Sequence, residues 1–208
     1  MTGAELLSLV LFCFVASITP GPNNLMLMSS GLTFGLRRTM PHLAGVTLGF
    51  MLMVALVGLG INALFATFPW LDTFLKIASI LYLLWLAYKI ASSGAVQASG
   101  RDRSAPLTFL QAAAFQWVNP KAWMMAVTAV AVYVSTAQFA FDLSVVTLIF
   151  GLINLPCICI WASFGTLLRR VVDNSKLMHA INIGMALALV ASLAPEVTQL
   201  FTLASRSL

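Results

Sequence analysis

From Leu6 to Leu36 the chain carries no Asp, Glu, Lys, Arg or His. That run exceeds the ~20 apolar residues that cross a bilayer as a helix. A second apolar stretch opens near Thr39-Met40-Pro41, where proline is tolerated in a first turn, and ends at the turn Phe68-Pro69-Trp70. Others follow at about 70–90, 107–137, 143–168 and 177–200, separated by short polar or turn-forming segments. With the first, at about 4–30, they predict six membrane-spanning helices. The fold class expected is an all-α integral membrane protein. Composition agrees: 61% of the residues are hydrophobic and 8% are charged, against about 25% charged in a soluble domain. The net charge of +5 falls in particular loops, so it argues for no nucleic-acid partner.

Two of the runs are interrupted. Thr19-Pro20-Gly21-Pro22-Asn23-Asn24 stands inside the first, and its prolines cannot continue a helix. Gln116-Trp117-Val118-Asn119-Pro120-Lys121 stands at a corresponding place in the fourth. Freed backbone groups at membrane depth are tolerated only where protein or a watery cavity satisfies them. Broken helices carrying amides are also how many transporters build a substrate site. A plain proline kink repaired by nearby asparagines is the alternative. Lys121 favours a cavity, because about 20 uncharged residues separate it from Asp142 and a cation at such depth is costly. A milder break is expected at Asn154-Leu155-Pro156.

Other polar positions are weaker. His42, one turn into the second span, is either a solvated interfacial residue or a proton carrier. Asp72 and Lys76, four apart on the third span, can pair and snorkel toward the surface. Gly45 and Gly49 make a small-xxx-small face suited to close helix packing. Tyr82, Trp85 and Tyr88 recur at helical spacing as packing or belt residues. His179 reads as interfacial, and Asn182 as a donor between helices. Cys13, Cys157 and Cys159 lie in apolar runs with no redox or metal-binding spacing, so no metal or other cofactor is expected. The start, Met1-Thr2-Gly3-Ala4-Glu5, lacks the basic region of a signal peptide.

Arg37, Arg38, Lys89, Arg101, Arg103, Arg169, Arg170 and Lys176 follow spans one, three and five. Short basic loops stay cytoplasmic, which sends both termini outward. Residues 1–92 form the first three spans, 93–106 a cytoplasmic linker and 107–208 the second three. An odd number of spans per half inverts the second half, so the breaks in helices 1 and 4 meet near the midplane of a 3+3 inverted repeat.

Thr19-Pro20-Gly21-Pro22-Asn23-Asn24, Ser29-Ser30-Gly31, Phe34-Gly35-Leu36-Arg37-Arg38-Thr39, Gly45 and Gly49 resemble the LysE/RhtB amino-acid exporters. So do Leu75-Lys76, Tyr82-Leu83-Leu84-Trp85-Leu86-Ala87 and Phe115-Gln116-Trp117-Val118-Asn119-Pro120-Lys121-Ala122-Trp123. The resemblance spans nearly the whole chain. It implies a bacterial inner-membrane exporter of amino acids or close derivatives that works as a proton antiporter. The first motif is most similar to the branch handling cysteine, O-acetylserine and similar small neutral amino acids.

An amino acid presents a carboxylate and an ammonium. Half-helix N-termini suit the first; unwound carbonyls and amide oxygens suit the second. The expected substrate site comprises Pro20, Gly21, Pro22, Asn23, Asn24, Gln116, Asn119, Pro120 and Lys121. No Asp or Glu stands at mid-membrane, so proton coupling falls to Lys121, His42, Asp72 or Lys76, or to the substrate's own ammonium. Alternating access, by rocking of one half on the other, is the mechanism expected for a substrate such as threonine, homoserine, cysteine or O-acetylserine. A passive amino-acid channel or a membrane thiol relay are the rivals. An enzyme is disfavoured, because the spans offer no acid, base and nucleophile set. Glycine-bearing faces permit a homodimer.

Overall fold

A computed structural model of the chain describes residues 1–61, 67–92, 105–171, 175–194 and 197–198. Among the described residues all regular structure is helical. The α-helices are α1 (Gly3–Ile18), α2 (Pro22–Phe34), α3 (Leu36–Leu56), α4 (Pro69–Ser92), α5 (Phe109–Phe115), α6 (Pro120–Tyr133), α7 (Phe139–Val171) and α8 (Ser175–Ala191). A π-helical turn, Val57–Ile61, extends α3, and a 3-10 turn, Gln116–Val118, joins α5 to α6.

Local chemistry sets several of these ends. α1 opens on a capping box: the Thr2 amide donates to Glu5 Oε2 at 2.6 Å, and the Glu5 amide donates to Thr2 Oγ1 at 3.3 Å. Thr108 and Gln111 repeat the device at α5, so each pair satisfies two orphan N–H groups. Pro22 and Pro120 occupy the first turns of α2 and α6, where a missing N–H costs nothing.

Helices α3, α4 and α7 are long and apolar enough to span a membrane, with the spanning stretches at Leu36–Gly60, Thr73–Ser92 and Phe139–Arg169. The pair α1–α2, bent by 54°, forms a fourth candidate span. Side chains such as Leu11, Phe14, Leu52, Leu81, Leu152 and Ile160 are exposed on the outside, where lipid rather than water suits them. α5 and α6 are short because the chain breaks between them. At ~1.5 Å per residue, the 14 residues of α6 reach only about 21 Å.

Three expectations change. The basic loop after the first span shrinks to Gly35 alone: its φ of 78° turns the chain at once into α3. Arg37 and Arg38 are therefore helical, and Pro41 lies further inside α3. Asn154-Leu155-Pro156 makes no break, and α7 runs through it for 33 residues. Pro156 removes one backbone donor, while packing of α7 against α1, α2 and α3 holds the helix on both sides. His42 is not solvated at an interface but 1% exposed. The linker residues 93–104 and the side chain of Asp72 lie outside the described residues, and with them the expected Asp72–Lys76 pair.

Without a hydrophobic drive between helices in lipid, close packing decides who meets whom. Gly31 of α2 and Gly165 of α7 face each other's helix so closely that a Cβ on either would overlap a backbone carbonyl, that of Ala162 or Met28. Gly45 and Gly49 seat α3 on α5, against Phe109, Ala112 and Ala113. Aromatic rings fill the wider gaps: Phe150 meets Phe50 edge-on at 5.1 Å and Phe12 at 5.9 Å. α4 packs on α8, and Tyr82 reaches from it to Phe115 at 5.3 Å. The breaks of α1–α2 and α5–α6 lie side by side within this frame.

Candidate functional site

Ending α1 at Ile18 leaves a row of carbonyls without helical partners. Each finds a donor. The Thr19 amide donates to the Val15 carbonyl at 3.2 Å, and the Thr19 hydroxyl to that of Ala16 at 3.2 Å. Asn24 Nδ2 donates to the carbonyls of Ser17 at 2.9 Å and Thr19 at 2.7 Å. Trp161 Nε1, from α7, donates to Ile18 at 3.0 Å. Lys121 Nζ, from α6, donates to the carbonyls of Thr19 at 2.8 Å and Pro20 at 3.3 Å and to Thr19 Oγ1 at 2.9 Å. The broken end is thus held almost wholly by side chains, three of them from beyond the break. This satisfies the condition under which irregular backbone persists in a membrane.

The second break answers the first. Asn23 Nδ2 donates to Gln116 Oε1 at 2.9 Å, and Gln116 Nε2 donates back to Asn23 Oδ1 at 3.3 Å. Gln116 also donates to the Ala112 carbonyl at 2.8 Å, so its amide is fully engaged although 0% exposed. Asn119 caps α6, its Oδ1 accepting from the Lys121 amide at 3.2 Å. Trp123 Nε1 donates to the Trp117 carbonyl at 2.9 Å. By contrast, α2 begins at Gly21 with no side-chain cap, leaving the positive end of that helix open.

Between the breaks lies a cavity of about 20 Å³, room for one water molecule. Gly21, Asn23, Asn24, Asn119 and Lys121 line it, together with Ala16, Ser17, Val46, Phe50, Ala122, Met125 and Asn154. Among the described residues no carboxylate pairs with Lys121, so its charge rests on neutral oxygens alone. Nor does any group of three His, Cys, Asp or Glu among those residues stand where it could hold a metal ion.

Most of the residues singled out by the sequence therefore meet. Pro20 contributes a carbonyl, while Pro22 and Pro120 start the half-helices. Gln116 stands behind the cavity wall as partner of Asn23. His42 does not line the cavity; it lies one turn before Val46, which does. Both its ring nitrogens are buried without a hydrogen-bond partner among the described residues. Lys76 is half-buried on α4, away from the cavity lining. All three cysteines are free thiols, with Cys13 and Cys157 buried. Sequence reasoning missed Ser17, Trp161 and the hydroxyl of Thr19. Asn154 drew notice only as part of a helix break. Its Nδ2 donates to Ser17 Oγ at 3.3 Å, while its Oδ1 is buried and unpartnered. A polar residue beside a mid-membrane proline was the available signal.

An all-helical membrane protein with two broken helices, meeting around a polar cavity lined by a half-buried cation, belongs to the class of membrane translocators rather than enzymes. More particularly, the chain belongs to the LysE type translocator family, whose model matches residues 14–194. A cysteine/O-acetylserine efflux protein of Escherichia coli K12 is 32% identical over 195 residues, covering 91% of this chain and 96% of the relative. The protein of the same description from Salmonella typhimurium is 29% identical over 183 residues, 86% and 90% of the two chains. No solved structure matches the chain.

Proposed function

We propose that this protein exports small neutral amino acids or their derivatives, cysteine and O-acetylserine foremost, by proton antiport with alternating access. The observation that carries the reading is the meeting of two complementary seats. The Thr19 and Pro20 carbonyls with the Thr19 hydroxyl form an ammonium-binding set. The uncapped start of α2 and the Lys121 ammonium are suited to a carboxylate. A zwitterion matches both at once. The names of the similar efflux proteins point the same way.

The inverted repeat is part of the proposal. The half-helices after the breaks, α2 and α6, have 13 and 14 residues and both carry proline in the first turn, which supports a shared design in the two halves. A cavity of about 20 Å³ is too small for an amino acid. That supports a carrier that must open to load over a standing pore. The basic residues at the ends of the spans, Arg37, Arg38, Lys89 and Arg169 among them, argue for both termini on the periplasmic side of a bacterial inner membrane. Lys121 and the buried His42 are the coupling groups proposed, ahead of Asp72 and Lys76.

The test is uptake of radiolabelled cysteine, O-acetylserine, threonine and homoserine into inside-out vesicles with an inside-acid pH gradient. Concentrative uptake abolished by a protonophore is expected. Equilibration indifferent to the gradient would replace antiport by a passive channel, and no uptake of any of the four would overturn the assignment of substrate.

A further inference from the structure

The Lys121 ammonium has an unusual setting. Its Nζ lies 2.8 Å from the Thr19 carbonyl, 2.9 Å from the Thr19 hydroxyl and 3.3 Å from the Pro20 carbonyl. Three oxygens around three N–H groups is the full coordination of a primary ammonium. Two of them belong to Thr19, the residue that caps the C-terminal end of α1, the end near which the helix dipole favours positive charge. Yet Lys121 itself sits in the first turn of α6, the end of a helix where a cation is disfavoured. No carboxylate pairs with it among the described residues. Nothing on its own helix explains why a cation is kept there; the oxygens across the break do.

The stem tells the same story. Gly21 leaves the space that the lysine crosses, and a Cβ there would come within 2.7 Å of Lys121 Cδ and 3.1 Å of Nζ. Thr19 and Pro20 are themselves exposed, so the oxygens are not sealed off by protein on every side. What occupies this seat is therefore a tethered primary ammonium on a flexible stem, beside the one helix start in the cavity that has no side-chain cap.

We infer that Lys121 is a built-in surrogate for the substrate, closing the empty site by placing its own ammonium where the ammonium of an amino acid binds. The inference rests on the amino-acid reading above and deepens it. Loading is an exchange of one ammonium for another: the incoming –NH3⁺ takes the Thr19 and Pro20 oxygens, and the displaced lysine turns to the incoming carboxylate at the start of α2. No bond forms or breaks, and the zwitterion adds no net charge to the site. A decarboxylated amine can take the seat but leaves Lys121 without a counter-ion. A second cationic group on the substrate would face Lys121 across the same small space. The exchange therefore selects zwitterions over both simple amines and basic amino acids.

The test compares binding of cysteine and of cysteamine, its decarboxylated amine, to the purified full chain in detergent, read as the shift in Tm with ligand concentration. The wild type should respond to cysteine at concentrations at least tenfold below those needed for cysteamine. In Lys121→Met, which keeps the stem but empties the seat, that order should reverse. Propylammonium should then stabilise Lys121→Met at concentrations at least tenfold below those needed for the wild type, with tetramethylammonium, which has no N–H, inactive on both. Gly21→Ala offers a second route should Lys121→Met fail to fold. It retains the lysine but pushes its stem aside, and cysteine should bind more tightly than to the wild type. An unchanged order of preference in Lys121→Met, or weakened cysteine binding in Gly21→Ala, would overturn the exchange. Vesicle uptake of cysteine by the wild type stands apart from these outcomes, so failure of the exchange and failure of the exporter reading are distinguishable.

Discussion

Asn23 and Gln116, 93 residues apart in the chain, pair as reciprocal amides across the two helix breaks, at 2.9 and 3.3 Å. Each is the natural partner of the other, because a primary amide offers one donor face and one acceptor face. The pair ties the start of α2 to the end of α5 at the depth where both helices stop. Gln116→Leu should cost about 1–3 kcal/mol, since it leaves the Asn23 amide without its partner. The double variant with Asn23→Ala should lose less than the sum of the two singles, with coupling of ~0.5–3 kcal/mol. Thermal or denaturant unfolding of the purified proteins measures this, and strict additivity would mean the amides do not depend on each other.

Asn24 is the next most exacting residue. It is 4% exposed and its amide donates to two carbonyls of the broken α1 end. Asn24→Leu should cost about 1–3 kcal/mol by orphaning the Ser17 carbonyl and leaving that of Thr19 to Lys121 alone, and reduce transport at least tenfold. Asn24→Asp, nearly isosteric, should do no better, because it sets acceptors against acceptors. Retained transport in Asn24→Asp would show that shape alone, and not donation, is needed.

The contact of α2 with α7 depends on two missing side chains. Gly31→Ala and Gly165→Ala each place a Cβ on a backbone carbonyl of the facing helix, and should cost about 1–3 kcal/mol or more by overpacking. Gly184→Ala is the matched control: it lies inside α8 with open space around it. That change should be neutral or stabilise by ~0.5–1 kcal/mol through reduced backbone freedom. Melting temperatures of the three variants decide the matter, and equal effects would mean the α2–α7 contact is loose.

His42 separates function from packing. Both its nitrogens are buried and unpartnered among the described residues, so a packing role gives the polar ring no advantage. His42→Leu should therefore leave stability unchanged or raised. If His42 takes part in proton coupling, as proposed, the same variant should lose accumulation driven by a pH gradient while still exchanging labelled for unlabelled substrate. Full accumulation by His42→Leu would remove it from the mechanism.

Much of this arrangement was legible beforehand. Uncharged runs of about 20 residues or more announce membrane helices, and Pro20-Gly21-Pro22 and Asn119-Pro120 announce their interruption, because proline acts on its own backbone wherever it stands. Lys121 was marked by its distance from other charges. The same local rule misled at Pro156, where α7 continues. A proline's missing bond is local, but whether the helix bends there depends on what packs beside it.

What the sequence by itself determined, then, are the all-helical membrane character, the interruptions at Pro20-Gly21-Pro22 and Asn119-Pro120 and the polar residues beside them, since these follow from backbone chemistry within a few residues. Tertiary structure alone decided the partners. Gln116 meets Asn23, Trp161 reaches Ile18 across 143 positions and Lys121 reaches Thr19 across 102. Gly31 and Gly165 find each other's helices in the same way. Such choices depend on which helix faces approach closely enough, and in lipid that is settled by the fit of whole surfaces rather than by any one segment's composition.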